Sequence, residues 1–386
     1  MNSPRSTIPA TPDRTTSAPS DGEANAPRGS HRMTALCFGL LMAGGLLFGI
    51  QQTTHAGLGS LAPSQWLGGA AGTQLNNALR VPFHDTLETA DAAWRYRVFG
   101  QLGAQVRQGC PGWLFYTDGL RAPVADPDAV VAARIALMRR LVAQLREQHV
   151  AVLAVTVPDK SRRESDALCG LTRPASTIAQ LPRWQRALDE AGVARVDLSS
   201  VLDNVPKPFY RTDVHLNQRG AAAAAQAVAT AALPLAGGRG TLQYDITRAA
   251  VATPRVGDLL TLAGLANAPQ GWRPAPDSYL PETFTQPSAA GLLDTGPAVT
   301  VMLAGSSNSR RSNFAEQLGQ SLGAPVWNVS RDGGKFADAL MQSMEDRAHW
   351  PSTLKLVIWE MSEMSLVQPL NALEKAALRD GVHADL

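Results

Sequence analysis

The sequence is short of the residues that define several large classes of protein. Its 35 Lys and Arg nearly balance its 33 Asp and Glu, so the formal net charge is +2 and no basic field favours nucleic acid as a partner. Three cysteines and seven histidines, with no spaced cluster among them, offer little material for a metal site. The sequence contains no internal repeat. We therefore expect an ordinary globular protein without metal ion, cofactor or nucleic acid.

The three cysteines allow at most one disulfide in a folded domain. Cys37 lies inside an apolar run, which leaves Cys110 and Cys169 as the pair that could be joined. A disulfide of this kind persists in an oxidising compartment. The sequence alone leaves a disulfide and two free thiols equally open.

The N-terminal region contains one apolar stretch of the length needed to cross a membrane. Residues 1–33 are rich in Ser, Pro, Thr and Arg, which is the composition of a disordered tail. Thr34–Ile50 then carry no charge, and as a helix they would be about 26 Å long, the short end of a membrane span. We interpret residues 34–50 as a transmembrane signal anchor.

The arginines around this stretch predict its orientation. Four arginines precede it, and no Lys or Arg follows until Arg80. By the positive-inside rule the N-terminus lies in the cytoplasm and the residues after Gln51 lie across the membrane. A cleaved signal peptide is the alternative, because Thr54-His55-Ala56 resembles a cleavage site, although the leader before the apolar run is long for one.

Helices and strands alternate along the rest of the chain. Asp126–His149 has the apolar spacing of an amphipathic helix, and Val150–Val157 is typical of a strand that is buried on both faces. Asn217–Leu233 is predicted to be a helix that Pro234 ends. The alternation predicts an α/β domain over residues 81–386, with a mostly parallel sheet flanked by helices.

Two stretches differ in composition from this alternating pattern. Residues 51–80 consist largely of Gly, Ala, Ser, Gln and Asn, and we interpret them as a linker. Residues 234–298 are rich in Pro and Gly, which predicts an excursion from the core of the domain. This excursion carries Trp272 and Tyr279, which either face a sugar or simply cover the domain.

A strand, a tight turn and a helix are predicted around Gly305. Val299–Ala304 is β-branched and aliphatic, Ser306–Ser309 follow the glycine, and residues 312–322 have a helical pattern. A serine on such a corner is well placed to act as a nucleophile. The alternative is that these serines only cap the helix, a position that serine favours.

The stretch Asp213-Val214-His215 supplies a candidate base with an acid beside it. A catalytic imidazole needs a carboxylate to fix its tautomer, and this loop before a helix offers both groups from one place. Two alternatives stay open at this point. Asp213 or Asn217 could cap the following helix, or the Asp–His pair could bind a metal ion.

The two loops can meet because the carboxyl ends of parallel strands lie at one edge of a sheet. Ser307, His215 and Asp213 would then act as nucleophile, general base and orienting acid.

Acyl transfer also needs hydrogen-bond donors for the oxyanion of its tetrahedral intermediate. The backbone N–H groups of Ser307 and Gly333 are the candidates, and Asn308 or Arg310 could assist them.

Several motifs together resemble those of a known enzyme family. Gly305-Ser306-Ser307, followed by Asn328-x-Ser-x-x-Gly333, resembles the first two sequence blocks of SGNH-type esterases. Those enzymes place their Asp/His block after the serine, whereas Asp213-Val214-His215 precedes it here. This permuted order resembles the alginate O-acetyltransferase AlgJ/AlgX-like family, the SGNH hydrolase-like periplasmic polysaccharide O-acetyltransferases. Further matches occur in that family's order: Gly112-Trp113-Leu114-Phe115-Tyr116, Val157-Pro158-Asp159-Lys160, Gly257-Asp258-Leu259 and Val357-Ile358-Trp359-Glu360.

The resemblance implies an SGNH-hydrolase-like fold and an inner-membrane enzyme whose catalytic domain lies in the periplasm. An acetyl group would be held on Ser307 and then passed to a hydroxyl of an exported polysaccharide, either alginate-like or another exopolysaccharide. In such systems a separate multi-pass membrane acyltransferase supplies the acetyl group. The family usually has Thr and Tyr where this chain has Ser306 and Asn308, and Trp at Leu216, which bears on the substrate more than on the chemistry.

Two other functions fit the same residues. A carbohydrate acetylesterase would pass the acetyl group from the serine to water, and a non-catalytic subunit of an acetylation complex would only bind polysaccharide. The altered residues beside Ser307 would be the sign of the second. Asp159 and Lys160 follow the strand Val150–Val157, and they either line the cleft as binding residues or form a buried ion pair.

Overall fold

A computed structural model describes residues 28–57, 60–67, 69–80, 83–123, 125–286 and 297–382. Most of the tail predicted over residues 1–33 lies outside these ranges. The chain divides into two compact units, and the boundary between them falls between His84 and Asp85.

The first unit contains a long apolar helix. This helix, α1, covers Arg28–His55 and is longer at both ends than the predicted anchor. Within the described ranges, His31–His55 is the one helical stretch long and apolar enough to cross a membrane. Two short helices, α2 (Pro63–Leu67) and α3 (Ala70–Ala78), lie within the residues predicted to be a linker.

The second unit is built on a five-stranded sheet in which all neighbouring strands are parallel, in the order β10-β9-β11-β3-β4. The predicted fold class is therefore confirmed. The strands of this unit are β1 (Val106–Gln108), β2 (Leu114–Tyr116), β3 (Ala151–Val157), β4 (Ala194–Asp197), β5 (Asp245–Arg248), β6 (Thr253–Arg255), β7 (Asp277–Tyr279), β8 (Glu282–Thr285), β9 (Val301–Ala304), β10 (Val326–Asn328) and β11 (Leu356–Ser362).

Helices cover both faces of this sheet, because its strands are apolar on both sides. In β3, Val152 and Ala154 belong to one hydrophobic core, whereas Leu153 and Val155 belong to the other. Helices α5, α8 and α13 pack into the first core, and α9, α10 and α12 pack into the second. The helices are α4 (His84–Phe99), α5 (Pro127–Arg146), α6 (Lys160–Arg163), α7 (Ala175–Ile178), α8 (Gln180–Glu190), α9 (Leu198–Asp203), α10 (Gln218–Ala236), α11 (Asp258–Leu262), α12 (Phe314–Leu322), α13 (Asp338–Glu345) and α14 (Ala372–Val382).

The end of α10 differs from the prediction. Pro234 lies inside this helix, which continues to Ala236. A proline this close to a C-terminus removes little of the helical hydrogen bonding, and the last turn is closed instead by Gly237, whose φ of 92° lies in the left-handed region.

The predicted excursion contains two antiparallel strand pairs, β5 with β8 and β6 with β7, together with α11. Residues 287–296 of the excursion lie outside the described part of the chain. Trp272 is 41% exposed, and it is not among the residues that line the two cavities described below.

The hairpin β1–β2 is joined to the domain by a disulfide. Cys110 and Cys169, which the sequence left open, are bonded, and Cys110 N–H also donates to Ala167 O at 2.8 Å. The bond ties the turn before β2 to the residues that follow α6.

Candidate active site

A cavity of about 370 Å³ opens at the carboxyl edge of the sheet, where the segments following β3, β9, β10 and β11 converge. Its wall combines apolar side chains with the polar groups that the sequence singled out. Lining residues include Phe115, Phe209, His215, Asp258, Ser307 and Gly333.

The turn after β9 exposes Ser307 to this cavity. Ser306 caps a short 3₁₀ turn, Ser307–Arg310, by accepting a hydrogen bond from Asn308 N–H at 3.2 Å. Helix α12 begins only at Phe314, two residues later than predicted, because Ser312 and Asn313 have φ values of 55° and 57° in the left-handed region. The serines therefore do not cap the following α-helix directly.

Glu360, near the end of β11, binds this turn through hydrogen bonds. Its carboxylate accepts hydrogen bonds from Ser306 N–H at 2.6 Å, Ser306 Oγ at 3.0 Å and Ser309 Oγ at 2.9 Å. Burial raises the pKa of Glu360, and these donors offset only part of that effect. Gly305 is required here, since a Cβ would lie 2.5 Å from Glu360 Oε2. The motif ending in Glu360 was visible in the sequence, but this contact was not.

Three predicted site residues form one chain of hydrogen bonds. His215 Nε2 lies 2.8 Å from Ser307 Oγ, and His215 Nδ1 lies 2.6 Å from Asp213 Oδ1. Both His215 and Asp213 are buried, and Asp213 Oδ1 also accepts from His215 N–H at 3.0 Å. Asn217, rather than Asp213, caps α10, since its Oδ1 accepts from the N–H groups of the first turn. Oδ1 of Asp213 is thus the oxygen that orients the imidazole.

The excursion fixes the loop that carries these two residues. Asp277 of β7 accepts from Thr212 N–H at 2.8 Å and from Thr212 Oγ1 at 2.6 Å, and Thr212 O accepts from Leu259 N–H at 3.1 Å. Gly257 permits this approach, since a Cβ there would lie 2.1 Å from Thr212 O. Residues predicted only as an excursion therefore position the candidate base.

Arg255 is a functional candidate that the sequence did not single out. Its Nη2 donates to Asp213 Oδ2 at 2.7 Å, and its guanidinium lies 4.9 Å from the ring centroid of Tyr210. Burial alone would raise the pKa of Asp213, but the hydrogen bond and charge of His215 and the charge of Arg255 outweigh it and hold that pKa well below its usual range. Asp213 therefore stays ionised beside the imidazole.

Replacing Arg255 with methionine should lower kcat/KM about 10- to 100-fold. A charge-assisted hydrogen bond is worth about 1.5–3 kcal/mol, and each 1.4 kcal/mol lost from transition-state stabilisation is tenfold in rate. Arg248→Met is the matched control, because Arg248 lies in the same excursion and pairs with Glu282 at the surface. Equal activity of the two variants would show that Arg255 has no part in orienting Asp213.

Asp258 places a second carboxylate near the imidazole. Its Oδ2 lies 3.4 Å from His215 Nδ1, and its side chain is 43% exposed. With Asp213 and His215 it forms a group whose ligand atoms are close enough to hold a metal ion. The group does not fit that role well, because Asp213 already neutralises Arg255 and the imidazole nitrogens face Asp213 and Ser307. We therefore assign no step to a metal.

The structure places the four predicted oxyanion and binding candidates in different surroundings. Gly333, with φ 71°, and Asn308 both line the cavity. Asn308 Oδ1 is buried and has no hydrogen-bond partner among the described residues, so this oxygen is available to accept a hydrogen bond from a ligand. Arg310, the other predicted assistant, is not among the residues that line the cavity, and its guanidinium lies 3.5 Å from Asp332 near the surface.

Lys160 lines the cavity together with Asp159, which was one of the two predicted alternatives, and no ion pair joins the two among the described residues. Its Nζ donates to three backbone carbonyls, Leu114 O at 2.6 Å, Arg211 O at 2.8 Å and Asp213 O at 3.0 Å. Asp159 instead accepts from Ser161 N–H at 2.8 Å. Lys160 therefore joins β2 to the Asp213 loop and has no N–H left for an oxyanion.

The pH dependence of stability should report on Lys160. Burial lowers its pKa from 10.5 to about 7. Above about pH 7 the folded protein has therefore released a proton that the unfolded chain still holds, so the unfolding free energy rises with pH up to about 10. Urea denaturation at several pH values should show this rise in the wild type, and Lys160→Met should lose it. Parallel curves for the two proteins would contradict the assignment.

The sheet, the turn at Ser307 and the preceding Asp–His loop together define an SGNH hydrolase-like protein with a permuted order of site residues. The family model described as "SGNH hydrolase-like domain, acetyltransferase AlgX" matches residues 106–363. The chain therefore belongs to the AlgJ/AlgX-like family.

Known relatives agree with this assignment. The chain is 30% identical over 286 residues to the probable alginate O-acetylase AlgJ of Pseudomonas syringae pv. tomato, which covers 71% of this chain and 72% of the relative. It is 29% identical over 287 residues to that of Pseudomonas putida, with 71% and 74% covered. The solved O-acetyltransferase domain of Pseudomonas putida AlgJ has the same fold, with a TM-score of 0.62 and 22% identity over 72% of this chain and 100% of that domain.

Proposed function

We propose that this protein is a membrane-anchored O-acetyltransferase that carries an acetyl group on Ser307 and passes it to a hydroxyl of an exported polysaccharide. The observation that carries the proposal is the hydrogen-bonded chain from Ser307 through His215 to Asp213 at the wall of the cavity. Family membership supports polysaccharide O-acetylation in general. The relatives named alginate O-acetylases favour an alginate-like acceptor.

In the first half-reaction, Ser307 Oγ attacks the carbonyl carbon of the acetyl donor while His215 Nε2 takes the hydroxyl proton. The bond between the acetyl carbon and the donor's leaving atom breaks, and His215 returns the proton to that leaving group. Asp213 remains ionised and stabilises the imidazolium. In the second half-reaction, His215 takes the proton of a sugar hydroxyl, whose oxygen attacks the acetyl carbon. The bond between that carbon and Ser307 Oγ breaks, and His215 returns the proton to Ser307 Oγ.

Donors for the oxyanion would come from two directions. Among the described residues, the N–H groups of Ser307 and Gly333 have no acceptor, and both residues line the cavity. Nδ2 of Asn308, which donates to Ser306 Oγ at 3.3 Å, is a further donor beside the cavity. Removing one such donor typically costs about 10²- to 10³-fold in kcat.

The membrane placement in this proposal is an inner-membrane anchor, with the N-terminus in the cytoplasm and the second unit in the periplasm. The apolar α1 supports the anchor by its length and composition. The disulfide between Cys110 and Cys169 supports an oxidising compartment for the second unit. A multi-pass membrane acyltransferase would then be the partner that supplies acetyl groups from the cytoplasm.

A transfer assay tests the proposal. The full chain in detergent is given an acetyl ester donor and oligosaccharides of an exported polysaccharide, and the products are measured by mass spectrometry. The proposal predicts acetylated oligosaccharides. Release of acetate at a rate that added oligosaccharide does not change would instead identify an esterase, and binding of the glycan with neither reaction would identify a non-catalytic subunit.

A further inference from the structure

A second cleft, of about 590 Å³, adjoins the active-site cavity on the same unit. It combines aromatic rings with positively charged side chains, a composition suited to charged sugars. Its lining includes Trp113, Lys207, Tyr210, Arg211, Arg219 and Tyr279. Of the two aromatic residues that the sequence suggested as sugar-facing, Tyr279 lines this cleft and Trp272 does not.

Two contacts show that the cleft and the active-site cavity are neighbours. Phe209 lines both of them. The ring of Trp113, in the cleft, stacks on that of Phe115, in the cavity, with centroids 6.5 Å apart and planes 22° from parallel. Phe209 and Phe115 are buried, so these rings form a wall that the cavity and the cleft share, and the cleft lies next to the site of transfer.

Two of the three cations that line the cleft are neutralised by carboxylates. Lys207 lies 5.2 Å from the ring centroid of Trp113 and pairs with Asp166 at 2.5 Å and with Glu164 at 3.4 Å, and Arg211 pairs at 3.3 Å with Asp277, which also lines the cleft. Arg219 is different, because it is exposed and has no ion pair with any residue that the structure describes. It also lies in the first turn of α10, where the helix dipole disfavours a positive charge. Because Arg219 carries an unpaired positive charge at this unfavourable position beside the cleft, its side chain points to an anion as the ligand that would pair with it.

We propose that this cleft binds the acceptor polymer at sugars beyond the one being acetylated, and that Arg219 binds a carboxylate of the polymer there. The proposal rests on the proposed function, since it assigns a second subsite to the same acceptor. Guanidinium and carboxylate form paired hydrogen bonds, and the ring of Tyr279 offers an apolar face to a sugar ring. Longer acidic acceptors should therefore bind more tightly than short ones.

The experiment compares oligouronates of increasing length with their carboxyl-reduced, neutral counterparts. Transfer by the wild type is measured beside Arg219→Gln and beside Arg186→Gln, which removes an exposed arginine on α8. For long oligouronates, Arg219→Gln should raise KM about tenfold without changing kcat, and moderate salt should shrink the difference. Short oligouronates, neutral oligomers and the Arg186 variant should show no such change.

Binding is measured separately by calorimetry in a Ser307→Ala background, so that the cleft is tested even if no transfer occurs. Tighter binding of long than of short oligouronates, weakened about tenfold by Arg219→Gln, supports the cleft. Equal binding of all lengths, or an equal effect of Arg219→Gln on neutral and acidic oligomers, overturns it. Absence of transfer by the wild type with length-dependent binding intact would count against the proposed function alone.

Discussion

Ser307→Ala should reduce acetyl transfer by at least about 10³-fold while leaving the fold intact. Removing the nucleophile abolishes the covalent route, and the rate that remains comes from substrate binding and oxyanion stabilisation alone. The substitution takes away a single hydroxyl, whose partner in the structure is His215 Nε2. The backbone of the turn is held by Glu360 through Ser306 and Ser309, so its geometry does not depend on this side chain.

Ser321→Ala is the control for this experiment. Ser321 lies near the C-terminal end of α12, whereas the turn precedes the N-terminal end, and Ser321 Oγ donates to the exposed Gln226 at 3.1 Å. It should retain full activity and unfold at the same temperature as the wild type. If Ser307→Ala also retained most of its activity, the covalent mechanism would be wrong, whatever the products of the reaction.

Glu374→Ala should lower the free energy of unfolding by about 3–5 kcal/mol, the usual cost of leaving one member of a buried ion pair alone. Arg134 and Glu374 are 1% and 0% exposed and lie 2.8 Å apart, between α5 and α14. Arg134 also donates to Gln368 O at 2.7 Å, and Gln368 lines the active-site cavity. Thermal unfolding should therefore move down by roughly 5–8 °C for a unit of this size.

Two further variants separate burial from charge. Arg139→Ala breaks an ion pair with Glu190 whose side chains are 56% and 67% exposed, and it should cost no more than about 1 kcal/mol. The double variant Arg134→Met with Glu374→Leu should be much closer to the wild type than Glu374→Ala, because it removes both charges together. If the double variant were as unstable as Glu374→Ala, the lost free energy of unfolding would come from packing rather than from the unpaired charge.

The parallel sheet and three residues of the candidate site could be predicted because their signals are local. The apolar run before Val157 requires a strand with both faces buried, and the Gly–Ser corner after Ala304 requires a sharp turn at its end. Ser307 directly follows β9, so its place at the carboxyl edge of the parallel sheet could be predicted. The loop bearing His215 was expected to follow a strand, whereas in the structure it follows α9 and still reaches the same edge. The hydrogen-bond distances between these side chains agree with the expected meeting of the two loops.

The supporting residues could not be predicted, because their contacts join distant parts of the chain. Arg255 meets Asp213 only when β6 folds back over the loop, and Glu360 meets Ser306 through the pairing of β11 with β9. Nothing in the local pattern of Lys160 distinguishes a cation that binds substrate from one that holds carbonyls. The pairing of Arg310 with Asp332 could not be predicted for the same reason, since it joins the loop after β9 to the loop after β10.

The most direct test of the proposed mechanism is to locate the acetyl group on the enzyme. The full chain is incubated with an acetyl ester donor without acceptor, quenched in acid, digested and examined by peptide mass spectrometry. The mechanism predicts one acetyl group on Ser307, absent from Ser307→Ala and lost from the wild type when polysaccharide oligomers are added. An acetyl group on another residue, or none during measurable transfer to the oligomers, would contradict it.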